Sequence, residues 1–274
     1  MKKHIFFDVD GTLIPFGGTM PESARKALIK AHDEGHNIYL ATGRGEKEVD
    51  IDLQSLPFSG GVFSAGAVCV YEGEKIVTHK LSVDELKELY ALAKELDLHY
   101  LIQSVDYTVM TKEFKEIFFN IFSEANGRAI EFPNFKLVDE YPLDLDIMKM
   151  VVFSQKGEIA KVKSILESKY DVVPNSFGVS QDVFAEISIK NITKASGFLE
   201  MVKHLGIAIE DTYFFGDETN DLEIAKVVGT SIALGNACDA LKEIASYITS
   251  DINCHGIKNA LEHFNLITAT NPTK

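Results

Sequence analysis

The stretch His4-Ile5-Phe6-Phe7-Asp8-Val9-Asp10-Gly11-Thr12 decides how this chain is read. An apolar run of strand length delivers two carboxylates, two positions apart, and then a glycine. Residues His4–Val9 read as a buried strand with acids at its end, and Gly11 lets the chain turn sharply as it leaves the sheet. Asp8 and Asp10 can then face one crevice. One carboxylate can attack phosphorus while the other handles the proton of the leaving group. An Asp-x-Asp pair alone fits a plain loop after a strand better than it fits a catalytic pair. A calcium loop of the EF-hand kind would need further acidic ligands that the stretch lacks.

Outward from this strand, helices and strands alternate. Pro21–Glu34 reads as a helix, with proline at its first position and Ala24, Ala27, Leu28 and Ala31 on one apolar face. His36–Ala41 is a second strand, ending in Thr42-Gly43-Arg44, with a helix expected over Glu46–Leu53. Gly61–Ala65 begins a third strand, and Ala67–Tyr71 with Lys75–His79 form a hairpin. Near the other end the pattern resumes: helix Ala195–Leu205, strand Thr212–Phe215, helix Asp221–Val228, strand Thr230–Leu234 and helix Cys238–Ser246. Such alternation predicts an α/β fold, a Rossmann-like parallel sheet with helices on both faces. Ligands of such sheets sit beyond the carboxyl ends of the strands. Asp8, Thr42 and Asp217 all fall at such ends.

Between the two halves the texture changes. Candidate strands at Tyr100–Gln103, Tyr107–Thr111, Ile147–Phe153, Asp171–Pro174 and Val183–Ile189 mix with helices expected at Val83–Leu96, Lys112–Ala125 and Lys156–Lys169. This reads as an inserted α+β domain with an antiparallel sheet. The division is then 1–81 and 189–274 for a discontinuous core, and 82–188 for the insertion. A chain of 274 residues is long enough for two such units.

The charge balance narrows the partners. With 27 basic and 41 acidic residues the net charge is −14, which lacks the basic footprint nucleic acid demands. No apolar run reaches membrane-span length, and Ile5–Phe7 is too short for a signal-peptide core, so a cytoplasmic location is expected. Monomer and homodimer both fit the sequence. The scattered cysteines Cys69, Cys238 and Cys254 show no metal-ligand spacing and read as reduced, mostly buried thiols. The phenylalanines 114, 118, 119 and 122 recur at helical spacing and read as core of the insertion, not a base-stacking platform. His255 reads as a surface or capping residue.

An acidic chain that binds a phosphate ester needs local positive charge. Thr42-Gly43-Arg44 offers a hydroxyl and backbone N–H groups at an expected helix start. Lys194 stands near another helix start, an unfavourable place for a cation unless an anion neutralises it. Gly216-Asp217-Glu218-Thr219-Asn220-Asp221 adds two acids at a strand end. Asp217 could join Asp8 on a hard cation, and Asp221 could orient Lys194 or the metal shell. Carboxylates so gathered require a divalent cation and a lysine, or raised pKa values, and Mg²⁺ suits an oxygen-only donor set.

These four elements, in this order, resemble the haloacid dehalogenase superfamily, and most closely its Cof-type branch, with a large cap inserted between the second and third motifs. The motifs stand as Asp8-Val9-Asp10-Gly11-Thr12-Leu13, Thr42-Gly43-Arg44, Lys194, and Gly216-Asp217 with Asn220-Asp221. Gly235-Asn236-Ala237 and Asn253-Cys254-His255-Gly256-Ile257 support the likeness. The resemblance implies an Mg²⁺-dependent phosphatase of small phosphorylated metabolites, sugar phosphates foremost, with pyridoxal and flavin precursor phosphates as alternatives. It implies that Asp8 is the nucleophile and Asp10 the general acid and base. It places the metal on Asp8, the backbone carbonyl of Asp10, and Asp217. Phosphate would be held by Thr42, Gly43, Lys194 and Asn220, with Asp221 behind them. The cap would exclude water and choose the leaving group, and Tyr107, Phe177 and Gln181 are candidate contacts.

Two positions depart from the family's pattern. Ala65 stands where asparagine is usual, and Glu218 where glycine is usual, so an amide is lost and a charge gained near the site. The second aspartate, Asp10, is absent from dehalogenases, which need no leaving-group proton, and it favours phosphate esters. Two other functions remain compatible: a phosphotransferase or mutase, in which a sugar hydroxyl replaces water, and a non-catalytic phosphosugar-binding regulator.

Overall fold

The computed structural model describes residues 2–49, 51–105, 107–117, 120, 135–174 and 182–269. Its contacts divide the chain into two units. One comprises Met1–Gly43, Asp50–Thr78 and Thr193–Lys274, and the other Arg44–Val49 and His79–Ile192.

In the first unit, strands are numbered in chain order: β1 His4–Phe7, β2 Asn37–Ala41, β3 Gly60–Phe63, β4 Val68–Tyr71, β5 Glu74–Thr78, β12 Thr212–Gly216, β13 Thr230–Ala233 and β14 Tyr247–Ile248. Among the described residues they form one sheet in the order β14-β13-β12-β1-β2-β3-β4-β5. Pairing is parallel from β14 to β3 and antiparallel through the β3-β4-β5 meander. The chain steps outward from β1 through β2 and β3, then returns to β12 on the other side of β1. The strand order therefore reverses between β1 and β12, which is where open α/β sheets bind ligands.

Alternate residues of a strand face opposite sides of the sheet, and here both sides are buried. Phe6, Tyr39 and Phe214 pack with Phe198 and Met201 of the helix Lys194–His204 in one cluster. Ile5, Phe7, Ile38, Leu40 and Phe215 face the other way and are equally buried. Burial on both faces explains why these strands are continuous apolar runs.

The second unit holds β6 His99–Ser104, β7 Thr108–Thr111, β8 Phe135–Val138, β9 Ile147–Phe153, β10 Tyr170–Pro174 and β11 Phe184–Ile189. Its sheet runs β10-β11-β9-β6-β7-β8. The helices Val83–Glu95 and Ile159–Leu166 contribute Leu86, Leu89, Ala93, Val162 and Leu166 to a core shared with Ile102, Met150, Val152 and Ile187. The first helix starts where expected because Ser82 caps it. Ser82 Oγ accepts from the Glu85 N–H at 3.3 Å, and the Glu85 carboxylate accepts from the Ser82 N–H at 2.7 Å.

Several expectations need correction. The sheet of the second unit is not wholly antiparallel, since β8, unanticipated from the sequence, pairs parallel with β7. The helix expected at Lys156–Lys169 is confined to Ile159–Leu166 because Gly157 takes a left-handed φ of 71°. The helix expected over Glu46–Leu53 is a 3₁₀ turn, Glu46–Glu48, and a separate helix, Ile51–Gln54. The cause is Glu48, whose carboxylate accepts from the Gly45 N–H at 2.8 Å and from the Gln103 and Thr108 side chains. The contacts group Arg44–Val49 with the second unit, whereas the sequence assigns it to the core. Of the cysteines, Cys69 is buried, Cys238 half-buried and Cys254 exposed. Residues 112–117 are helical and Phe114 is fully buried, whereas Phe118, Phe119, Phe122, Phe177 and Gln181 lie outside the described residues. No helix among the described residues is long and apolar enough to cross a membrane.

Phe198 is the side chain on which one face of the central sheet closes, edge-on to Phe6 with centroids 5.0 Å apart. Phe198→Ala is expected to destabilise the first unit by about 3–5 kcal/mol, as large-to-small core changes do. Urea unfolding checks this, and a loss below about 1 kcal/mol would contradict the packing described.

Candidate active site

Three adjacent parallel strands end at the residues singled out in the sequence. Asp8 follows β1, Thr42 follows β2, and Asp217 follows Gly216 of β12. The Asp8 N–H donates to the Phe215 carbonyl at 2.9 Å, and the Thr42 N–H to the Val62 carbonyl at 2.9 Å. The Asp8 and Thr42 side chains therefore leave from backbone still bonded to a neighbouring strand.

Lys194 draws these ends together. It opens the helix Lys194–His204, capped by Thr193, whose Oγ1 accepts from the Ser196 N–H at 3.3 Å. Its ammonium donates to Asp8 Oδ1 at 2.6 Å and to Asp221 Oδ1 at 2.8 Å. Asp221 Oδ2 accepts from the N–H groups of Asp217 at 3.0 Å and Glu218 at 3.3 Å. Both Asp221 oxygens are thus occupied, which suits it to orient the lysine. Asp217 Oδ1 accepts from the Thr12 hydroxyl at 2.7 Å.

Asp8, Asp217, Asp221 and Lys194 are each at most 4 % exposed. Three carboxylates against one ammonium leave two negative charges without a counter-ion if all ionise. Burial pushes the Asp8 carboxyl well up, aided by Asp221 and Asp217 and opposed by Lys194. Burial likewise pushes Asp217 up to about 7, against the Thr12 hydrogen bond. For Lys194 burial works against the charge, but Asp221 and Asp8 more than offset it and its pKa is raised. Ligand oxygens of Asp8, Asp217 and Asp221 lie within 4.8 Å of one another. A buried, oxygen-only, doubly negative set is the donor chemistry of a hard divalent cation.

The remaining candidates are placed less centrally. Asp10 is half-buried, in a tight turn bridged to Ile14. Gly11, at φ 86°, passes so near Asp217 that a methyl group on it would stand 2.0 Å from Oδ2. Thr42 is buried and Gly43 half-buried. Among the described residues they are followed by the 3₁₀ turn Glu46–Glu48 rather than by the helix expected over Glu46–Leu53. Asn220 is exposed within a 3₁₀ turn. Glu218 folds back to accept from the Thr219 N–H at 2.8 Å. Tyr107 stays in the second unit, with the Lys136 ammonium over its ring. His255 is an exposed helix cap whose Nδ1 meets the Ser23 hydroxyl at 2.9 Å.

Sequence reasoning overlooked three contributors. Thr12, through its hydroxyl, holds Asp217. Asn236, whose amide donates to the Gly11 carbonyl at 2.8 Å while its oxygen accepts from the Ile252 N–H, ties the first loop to a late one. The third is backbone: Ser64 and Ala65 both have positive φ, 49° and 55°, each costing roughly 1–2 kcal/mol for a residue with a Cβ. Asparagine tolerates that region better than alanine, so its usual presence at this point has a backbone reason besides any substrate contact.

A family model described as haloacid dehalogenase-like hydrolase matches residues 5–261, and the chain belongs to that family. YkrA of Bacillus subtilis, which carries a provisional phosphatase name, is 27 % identical over 267 residues, covering 97 % of this chain and 99 % of YkrA. YcsE of the same organism, a 5-amino-6-(5-phospho-D-ribitylamino)uracil phosphatase, is 27 % identical over 264 residues, covering 96 % of this chain and 95 % of YcsE. A solved subclass IIB sugar phosphatase of the superfamily is 26 % identical with a TM-score of 0.75, over 97 % of this chain and 100 % of that one. The Cof-type resemblance is thereby supported, and the chain is a phosphatase.

The raised carboxyl pKa values predict a sign for metal linkage. Asp217 is held at about 7, against an ordinary value of 3.8. The stability tied to its protonated form is complete below about pH 4 and lost as pH rises through about 7. A divalent cation held by these carboxylates would remove that penalty. Mg²⁺ added to chelator-treated protein should raise Tm by several degrees at pH 8 and little at pH 5. An equal gain at both values, or none at either, would contradict it.

Proposed function

We propose that this chain is an Mg²⁺-dependent phosphomonoesterase that hydrolyses small phosphorylated metabolites, sugar phosphates foremost, through an aspartyl-phosphate on Asp8. The observation that carries the proposal is the Lys194 ammonium held between Asp8 and Asp221 beside Asp217. A regulator that only bound phosphosugars would have no need of the buried nucleophile and acid–base pair retained here.

Asp8, the backbone carbonyl of Asp10, and Asp217 would hold the Mg²⁺. When bound, the ion neutralises the carboxylates and polarises a phosphoryl oxygen. Lys194 occupies one oxygen of Asp8, which leaves the other to attack phosphorus in line. As the Asp8 O–P bond forms and the ester O–P bond breaks, Asp10 gives its proton to the leaving oxygen. Asp10 then takes a proton from water, which attacks the aspartyl-phosphate and frees inorganic phosphate and Asp8. Lys194, Thr42, Gly43 and Asn220 face the charge on the non-bridging oxygens, which is the larger part of what phosphoryl transfer requires.

Two substrate classes have support from relatives: sugar phosphates from the solved sugar phosphatase, and a flavin-precursor phosphate from YcsE. Phosphate release from sugar phosphates, nucleotides, vitamin phosphates and that ribitylamino-uracil phosphate, with and without Mg²⁺, separates them. Activity should require Mg²⁺ and vanish in Asp8→Asn. Asp10→Asn should lose roughly two to four orders of magnitude in kcat. Folded, Mg²⁺-loaded protein that releases phosphate from none of these esters would overturn the reading. Transfer to an added sugar in preference to water would make the enzyme a phosphotransferase.

A further inference from the structure

Lys194 is a long side chain at the first position of a helix, yet its ammonium meets Asp8 and Asp221 at 2.6 and 2.8 Å in a space closed to solvent. The backbone that carries it must be fixed to a fraction of an ångström. What holds the helix start is a pair of glycines more than a hundred residues apart in sequence. A methyl group on Gly66 would stand 2.0 Å from the Thr193 carbonyl oxygen and 3.3 Å from the Lys194 nitrogen. A methyl group on Gly197 would stand 2.7 Å from Gly66 Cα, 2.8 Å from the Gly66 oxygen and 2.8 Å from Val62 Cγ1. The first helical turn therefore rests directly on the backbone of the Ser64–Gly66 turn, with no side chain between them. The Cys69 thiol clamps the same turn from below, donating to the Gly197 carbonyl at 3.3 Å.

The Ser64–Gly66 turn is itself held. Its left-handed Ser64 and Ala65 persist because neighbours determine them: the Ala65 N–H donates to the Thr42 carbonyl at 3.0 Å, and the Ala67 N–H to the Ser64 carbonyl at 3.2 Å. One turn thus touches Thr42 on one side and the Lys194 helix start on the other.

We infer that the Gly66–Gly197 contact is the seat that positions the Lys194 ammonium relative to Asp8 and Thr42, so that Gly66 and Gly197 are positioning residues for phosphoryl transfer. This rests on the phosphatase mechanism proposed above for Lys194. Helix propensity alone would favour alanine at position 197. The seat requires the opposite, because an added Cβ must lift the helix by several tenths of an ångström.

The test is steady-state kinetics of Gly197→Ala on the best ester found for the wild type, with folding checked by circular dichroism and Tm. A displacement approaching 1 Å at a catalytic group costs up to about a hundredfold. The expected result is a kcat lowered about 10- to 100-fold with KM changed less than about threefold, the pattern of an interaction lost mainly in the transition state. Val62→Ala adds no atom and loosens one wall of the same seat. It should lower kcat several-fold and keeps the test open if Gly197→Ala does not fold. Leu199→Ala, exposed on the same helix, should leave kcat unchanged. An active wild type with wild-type kcat in folded Gly197→Ala, or in Val62→Ala where Gly197→Ala does not fold, overturns the seat alone. A wild type without phosphatase activity overturns the mechanism on which it rests.

Discussion

Lys194 places one ammonium between Asp8 and Asp221, and the rest of the first unit is arranged so that this contact can exist. Buried charges are tolerated only when paired and hydrogen-bonded. Here the pairing spans long stretches of chain, because Asp8 lies at the end of β1, Asp221 beyond β12 and Lys194 at the start of a helix. The parallel sheet supplies the first two by ending β1 and β12 side by side. The helix supplies the third. Neither pairing is local, so the site exists only when the whole doubly covered sheet has formed.

The remaining charge imbalance gives the site its chemistry. Lys194 answers one carboxylate's worth of charge, and burial holds the Asp8 and Asp217 carboxyls at raised pKa values. On the proposed mechanism, a bound cation would relieve this imbalance and leave the site receptive to a phosphoryl group. Asp221 spends both oxygens on the lysine and on backbone N–H groups, so it stabilises the arrangement without competing for the reacting centre. Thr12 and Asn236 tie the turn after Asp8 to Asp217 and to the Ile252 backbone.

Much of this was legible in the sequence where the signal was local. The apolar runs before Asp8, Thr42 and Asp217 are strands buried on both faces, and continuous apolar character marks them whatever their partners. Asp8, Lys194, Asp217 and Asp221 were singled out because acids and a lysine at strand and helix ends are costly without a ligand. What stayed hidden depends on contacts distant in sequence. The break between Glu46 and Leu53 follows from Glu48 reaching Gln103 and Thr108. β8 is a strand because β7 lies beside it. The shortened helix at Gly157 was locally readable, since glycine near a helix start signals a turn, and that signal was passed over. The Gly66–Gly197 approach leaves no local mark, because a glycine inside a helical pattern looks the same whether or not backbone lies against it.

On the proposed mechanism Asp8 carries the phosphoryl group during turnover. Rapid acid quench of enzyme, Mg²⁺ and substrate, followed by peptide mass analysis, tests this directly. One phosphoryl group is expected on the peptide bearing Asp8, accumulating further in Asp10→Asn, where hydrolysis of the intermediate would be slowed. Phosphate release without any labelled enzyme, or label on another residue, would contradict it.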